Sequence, residues 1–170
     1  MSEVVGQDQS ARPAVFRLWD RRAVFGPFAL PGAISVIAGG SLAAAIAAPA
    51  PTRHGVWAAA YLVLVLGVGQ IVLGIGPALL ASTPPSARMV TVTATLFNIA
   101  NIAILLGIVT NHITVFDAGS LLLLIALALF LHGVWHGARR GWPLYVYRLL
   151  VAVLAVSIPI GLLITTAANS

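Results

Sequence analysis

Five stretches of this 170-residue chain are about 20 residues long, mostly apolar, and contain no Asp, Glu or Lys. They run over about 28–48, 56–80, 89–110, 118–135 and 143–167. A helix rising 1.5 Å per residue needs about 20 apolar residues to cross a bilayer, and each stretch meets that length. Only 8% of the residues are charged, against about 25% in soluble domains. The chain therefore lacks the polar surface of a water-facing globule, and lipid has to be part of its solvent.

The breaks between the stretches read as loops. Pro49–His54 and Ser82–Arg88 each carry two prolines, Asn111–Asp117 is polar at both ends, and Gly137–Trp142 is basic. Because these loops are short, consecutive helices are expected to be antiparallel neighbours. The expected fold is all-α: one polytopic domain over 28–167, with five transmembrane helices in an antiparallel up-down bundle. Residues 1–27 form a tail, in which Phe16, Trp19 and Ala23 have helical spacing among Arg17, Arg21 and Arg22. That pattern fits an interfacial helix on a membrane surface, or a basic flank that only fixes topology. The first residues lack the basic start and apolar core of a cleavable signal peptide, so the N-terminus is expected to be retained.

All nine basic residues are arginine, and the formal net charge is +5. With the N-terminus inside, Arg12, Arg17, Arg21, Arg22, Arg88, Arg139 and Arg140 lie on the cytoplasmic side, which Arg148 can also reach, with Arg53 alone outside. The positive-inside rule then predicts a plasma-membrane protein with a cytoplasmic N-terminus and an outside C-terminus. The all-arginine, alanine-rich usage fits a bacterial genome. The arginines flank apolar segments and form no basic run with aromatics, so nucleic acid is not an expected partner. The absence of cysteine excludes disulfides and thiolate chemistry.

Few polar residues remain inside the spans. Thr91, Thr95, Asn98 and Asn101 follow at intervals of four, three and three, which places them along one helical face. The second span has Gly67, Gln70, Gly74 and Pro77. Gln70 lies fourteen residues before Pro84 and Asn98 thirteen after Pro85, so both sit about 20 Å along their helices from the turn. The expectation is an interhelical polar network of Gln70, Thr95, Asn98 and Asn101, with a Gln70–Asn98 hydrogen bond and Gly67 and Gly74 letting those two helices approach. Small residues and amide bonds hold membrane helices together. The other reading is a path for water or a small solute. No acid lies within a span, which argues against proton- or sodium-coupled transport. On the first span, Gly32, Ser35, Gly39 and Gly40 also read as packing positions.

Four histidines remain. His132 and His136 share a face of the fourth span at i and i+4, without the Glu that follows the first His in zinc proteases. His132 is the candidate haem ligand, and haem b the cofactor it would imply. His54 and His112 stand at the outer ends of the second and third spans, with Asp117 on the same side. Together they are a candidate zinc or copper set; in the simpler reading, Asp117 caps the fourth helix and both histidines are wet. No nucleophile constellation or phosphate loop is visible, and the clustered glycines of Gly67–Gly76 lie inside a membrane helix. Spans this small are expected to enclose no roomy cavity. The reading is a non-enzymatic scaffold or accessory subunit in the bilayer, without a cofactor, in a membrane complex or homo-oligomer. The alternatives are a small haem- or metal-binding membrane protein and a small-solute channel or carrier.

Overall fold

The computed structural model describes residues 14–46, 52–81, 83–135 and 141–168. Among them every element is a helix: α1 (Ala14–Asp20), α2 (Arg22–Ile46), α3 (53–80), α4 (Ala87–Val109), α5 (Ile113–Trp135) and α6 (Trp142–Ala168). Four of these are long and apolar enough to cross a bilayer: Arg22–Ile46, Gly55–Leu80, Ala87–Val109 and Ile113–Val134. In α6 the apolar stretch among the described residues is shorter, Trp142–Val156. The tail before Ala14, the loop prolines Pro49 and Pro51, and His136, Arg139 and Arg140 lie outside the described residues.

α3 is one continuous rod of three parts. Arg53–Tyr61 and Gln70–Leu80 are α-helical, and Leu62–Gly69 between them is π-helical. At its start Thr52 accepts a hydrogen bond from the Gly55 backbone, an ordinary N-cap. Ser86 does the same for α4 through Met89. π-Helical turns cluster at functional positions because they widen the helix and re-aim its side chains.

The backbones pair as two tight hairpins. α2 packs along the whole of α3, and α4 packs along α5, while α6 lies against α5 and the Gln70–Leu80 part of α3. The expected close pairing of α3 with α4 is not formed; little backbone contact joins them. Glycines explain the choice. A Cβ on Gly67 would lie 2.5 Å from the Val36 side chain, and one on Gly74 2.5 Å from Phe28. From the other helix, Gly32 abuts Ile71 and the Gly67 carbonyl, and Gly39 abuts Val63 and the Ala59 carbonyl. Gly67 and Gly74 therefore serve α2, not α4. Of the first-span packing residues, Gly32, Ser35 and Gly39 are buried, while Gly40 is exposed with nothing near it.

The second hairpin is tighter than its sequence implies. Asn111 takes the left-handed conformation at φ 55°, which asparagine tolerates better than most residues. The Asn111 backbone N–H donates to the Ile108 carbonyl and that of His112 to the Gly107 carbonyl, closing α4 with a Schellman turn. α5 then starts at Ile113, and the expected loop over Asn111–Asp117 shrinks to a turn. Asp117 lies inside α5 and is not its cap. Gly107 sits against the Phe116 backbone and Gly119 against Ile104 and the Ala100 carbonyl.

One end of the bundle is solid. Phe28 and Phe97 both meet Phe130, with ring centroids 5.1 and 6.0 Å away. The Tyr147 ring of α6 lies where a Gly76 side chain would stand, and its hydroxyl donates to the Leu73 carbonyl at 3.0 Å. Two arginines tie helix ends at this level. Arg21, between α1 and α2, donates to the Ala78 and Ala81 carbonyls at 3.0 and 2.8 Å. Arg148 of α6 donates to the Val134 carbonyl at 3.2 Å. A cation satisfying the last carbonyls of a helix also complements its negative dipole end.

Candidate functional site

The other half of the bundle is not solid. Where α3 stands away from α4, a cavity of about 590 Å³ opens between α3, α4, α5 and α6. The expectation that such spans enclose no roomy cavity is overturned. Its cause is the pairing just described: α3 commits its small residues to α2 and turns Val65, Val68, Gly69 and Val72 toward the gap. Among the described residues the walls are apolar apart from Trp57, Tyr61 and Ser120.

Those three residues are ordered. Tyr61 stacks on Trp57, with centroids 4.9 Å apart and planes at 22°. Its hydroxyl donates to Asn101 Oδ1 at 2.7 Å, and Asn101 Nδ2 donates to the Phe97 carbonyl at 2.7 Å. Asn101 is fully buried, so both ends of its amide are fixed. Among the described residues this Tyr61–Asn101 bond is the polar link between α3 and α4, a pairing that spacing from the turn does not predict. Ser120 is 2% exposed and follows Gly119, which touches Ala100 and Ile104.

The remaining polar-stripe residues go elsewhere. Asn98 Nδ2 donates to its own helix, to the Ala94 carbonyl at 2.8 Å. The side chain of Gln70 is completely buried, and neither Nε2 nor Oε1 has a hydrogen-bond partner. The expected Gln70–Asn98 bond is therefore not made. The reason is rotational: three residues turn an α-helix by about 300°, so Asn101 stands about 60° around the axis from Asn98, enough to give the two side chains different neighbours. Asn101 turns toward α3. Asn98, with Thr91 and Thr95, lines a separate open groove against Pro27 and Pro31 of α2. Thr91 and Thr95 are exposed and Asn98 half-buried.

Among the histidines, His112 is exposed in the α4–α5 turn, and Asp117 is exposed in the second turn of α5. His54 lies in the first turn of α3, its side chain outside the described residues. Among the described residues no three or more His, Cys, Asp or Glu side chains come together as a metal site. His132 is exposed in the last turn of α5.

Fold and composition define the class: a helical, multi-pass membrane protein with four long apolar helices. No protein-family model, curated protein or solved structure matches the chain.

Proposed function

We propose that the chain is a five-span protein, N-terminus in the cytoplasm and C-terminus outside, acting as a non-enzymatic scaffold or accessory subunit. It holds a transmembrane helix of another polypeptide, a different subunit or a second copy, in the groove between α2 and α4. The observation that carries this reading is the placement of Thr91, Thr95 and Asn98 on that open groove. Polar residues in a span face a bundle interior, a water-filled cavity or another helix, because lipid offers them no partner. An asparagine amide has two donor hydrogens and an acceptor oxygen. Asn98 uses one donor within its helix, leaving the others for a neighbour. Across the groove, Pro27 and Pro31 lack the N–H groups that would bond the preceding turn, which frees carbonyls on that side.

The fifth span is α6, and the arginine bonds support the orientation. Arg21 and Arg148 satisfy the C-terminal ends of α3 and α5, which share one side when helices alternate in direction. That is the side to which the positive-inside rule assigns the cytoplasm.

Site-specific photocrosslinking from position 95 of the full-length protein in its own membrane tests the docking. A crosslinked polypeptide, lost when Asn98 is replaced by Leu, is the expected result. Adducts with lipid alone would contradict the reading. Reporter fusions at the two termini test the threading, with an active cytoplasmic reporter expected only at the N-terminus.

A further inference from the structure

The cavity has features that a helix-docking role does not use. Its volume, about 590 Å³, falls within the usual range for small-molecule sites, roughly 300–1,000 Å³. Part of its rim consists of side chains exposed on the outside of the bundle: Leu64 and Val68 of α3 are 64% and 47% exposed, and Leu150 of α6 is 37% exposed. The mouth therefore faces acyl chains and not bulk water. A molecule entering it comes from the bilayer.

The lining selects further. Among the described residues no charged side chain lines the cavity, so an ionised head would be desolvated without a counter-ion, at heavy cost. Its polar groups sit at one level. Tyr61 lies eight residues into α3, Asn101 eight before the end of α4 and Ser120 seven into α5, each about 10–12 Å from its helix end. Below that level the walls are Leu73, Phe97, Leu127 and their neighbours, all apolar. Tyr61 spends its proton on Asn101, which leaves its oxygen able to accept. Ser120 offers a hydroxyl from the facing helix. One edge of this level is the Trp57–Tyr61 stack.

We infer that the cavity binds one neutral, long-chain lipid from the surrounding bilayer, its hydroxyl or carbonyl head held by Tyr61 and Ser120 and its chain lying along α3. A hydroxyl head donates to Tyr61 and accepts from Ser120, and a carbonyl head accepts from Ser120 while its flat group lies on the aromatic stack. The π-helical stretch Leu62–Gly69 supplies Leu64, Val65, Val68 and Gly69 to the wall along which the chain would lie.

The test uses the purified full-length protein, stripped of native lipid in detergent, with hexadecanol and palmitate as probes. They share a chain length and differ in head charge. Native mass spectrometry reads the bound lipid at a pH where palmitate is ionised. One hexadecanol per chain is expected, with palmitate at least about tenfold weaker. Val68→Trp fills the mouth from an exposed position, where folding is undisturbed, and should abolish hexadecanol binding; Val72→Trp should do the same. Ser120→Ala should narrow the preference for hexadecanol over palmitate and leave the fold intact. Equal binding of the two probes, no binding of hexadecanol, or unchanged binding to both tryptophan variants would overturn the proposal.

Discussion

α3 presents two unlike faces. Toward α2 it offers Gly67 and Gly74, and the partner's side chains come so close that even a methyl group would collide with them. Toward α4 it offers Val65, Val68 and Val72, and across that gap the backbones stand apart around a cavity. Both faces are apolar, so hydrophobicity does not distinguish them. Lipid tails are as apolar as valine, and a membrane helix gains little by exchanging one for the other. What distinguishes the faces is the depth to which the partner can sink. Where glycine lets a backbone approach, the helices close; where branched side chains hold it off, one polar bond, Tyr61 to Asn101, bridges the remainder.

The largest effect should come from closing the close-packed face. Gly74→Leu drives a branched side chain into Phe28 and should destabilise the protein by about 3 kcal/mol in thermal unfolding in detergent. A loss near zero would mean that α2 and α3 are not packed through this glycine.

Next comes the bridge. Tyr61→Phe leaves Asn101 Oδ1 buried and unpaired, and should cost about 1.5 kcal/mol. Because Tyr61 and Asn101 share one bond, Asn101→Leu in the Tyr61→Phe background should cost less than it does alone. Equal costs in both backgrounds would show that the bond contributes nothing.

Gln70→Leu should go the other way. The Gln70 amide is buried and unpartnered, so a leucine of similar volume should raise stability by about 1 kcal/mol. In a double-mutant cycle, Gln70→Leu and Asn98→Leu should be additive within about 0.5 kcal/mol. The height match read from sequence implies a coupling instead, so this cycle separates the two accounts. The smallest effect is expected on the open face, where Val68→Leu should change stability by less than about 0.5 kcal/mol.

The four long apolar helices were legible in the sequence, because about 20 apolar residues between proline or basic loops have few uses other than crossing a bilayer. Of the packing positions read on the first span, Gly32, Ser35 and Gly39 were legible for a similar reason, small residues at helical spacing having few uses in a membrane other than close packing, whereas Gly40 packs against nothing. Which neighbour a stripe serves was not legible. Counting residues from a turn fixes depth and says nothing of rotation about the axis. Gly67 and Gly74 are as well placed in depth for α2 as for α4. The Tyr61–Asn101 pair escaped the same count, since Tyr61 is further from the Pro84–Pro85 turn in sequence than Asn101 is. The π-helical stretch between Tyr61 and that turn breaks the α-helical register that the count assumes. The α4–α5 turn was misjudged for a local reason: Asn111 looked like one polar end of a loop, and its left-handed conformation closes the helix there instead.

The central claim is that α3 is paired with α2 and held apart from α4 at the level of its amide. The chain has no cysteine, so introduced pairs report without background. A disulfide needs Cα atoms within about 7 Å. Val36→Cys with Gly67→Cys should crosslink readily under mild oxidation in membranes, and Gln70→Cys with Asn98→Cys should not. Efficient crosslinking of the 70–98 pair, with none between 36 and 67, would contradict the account.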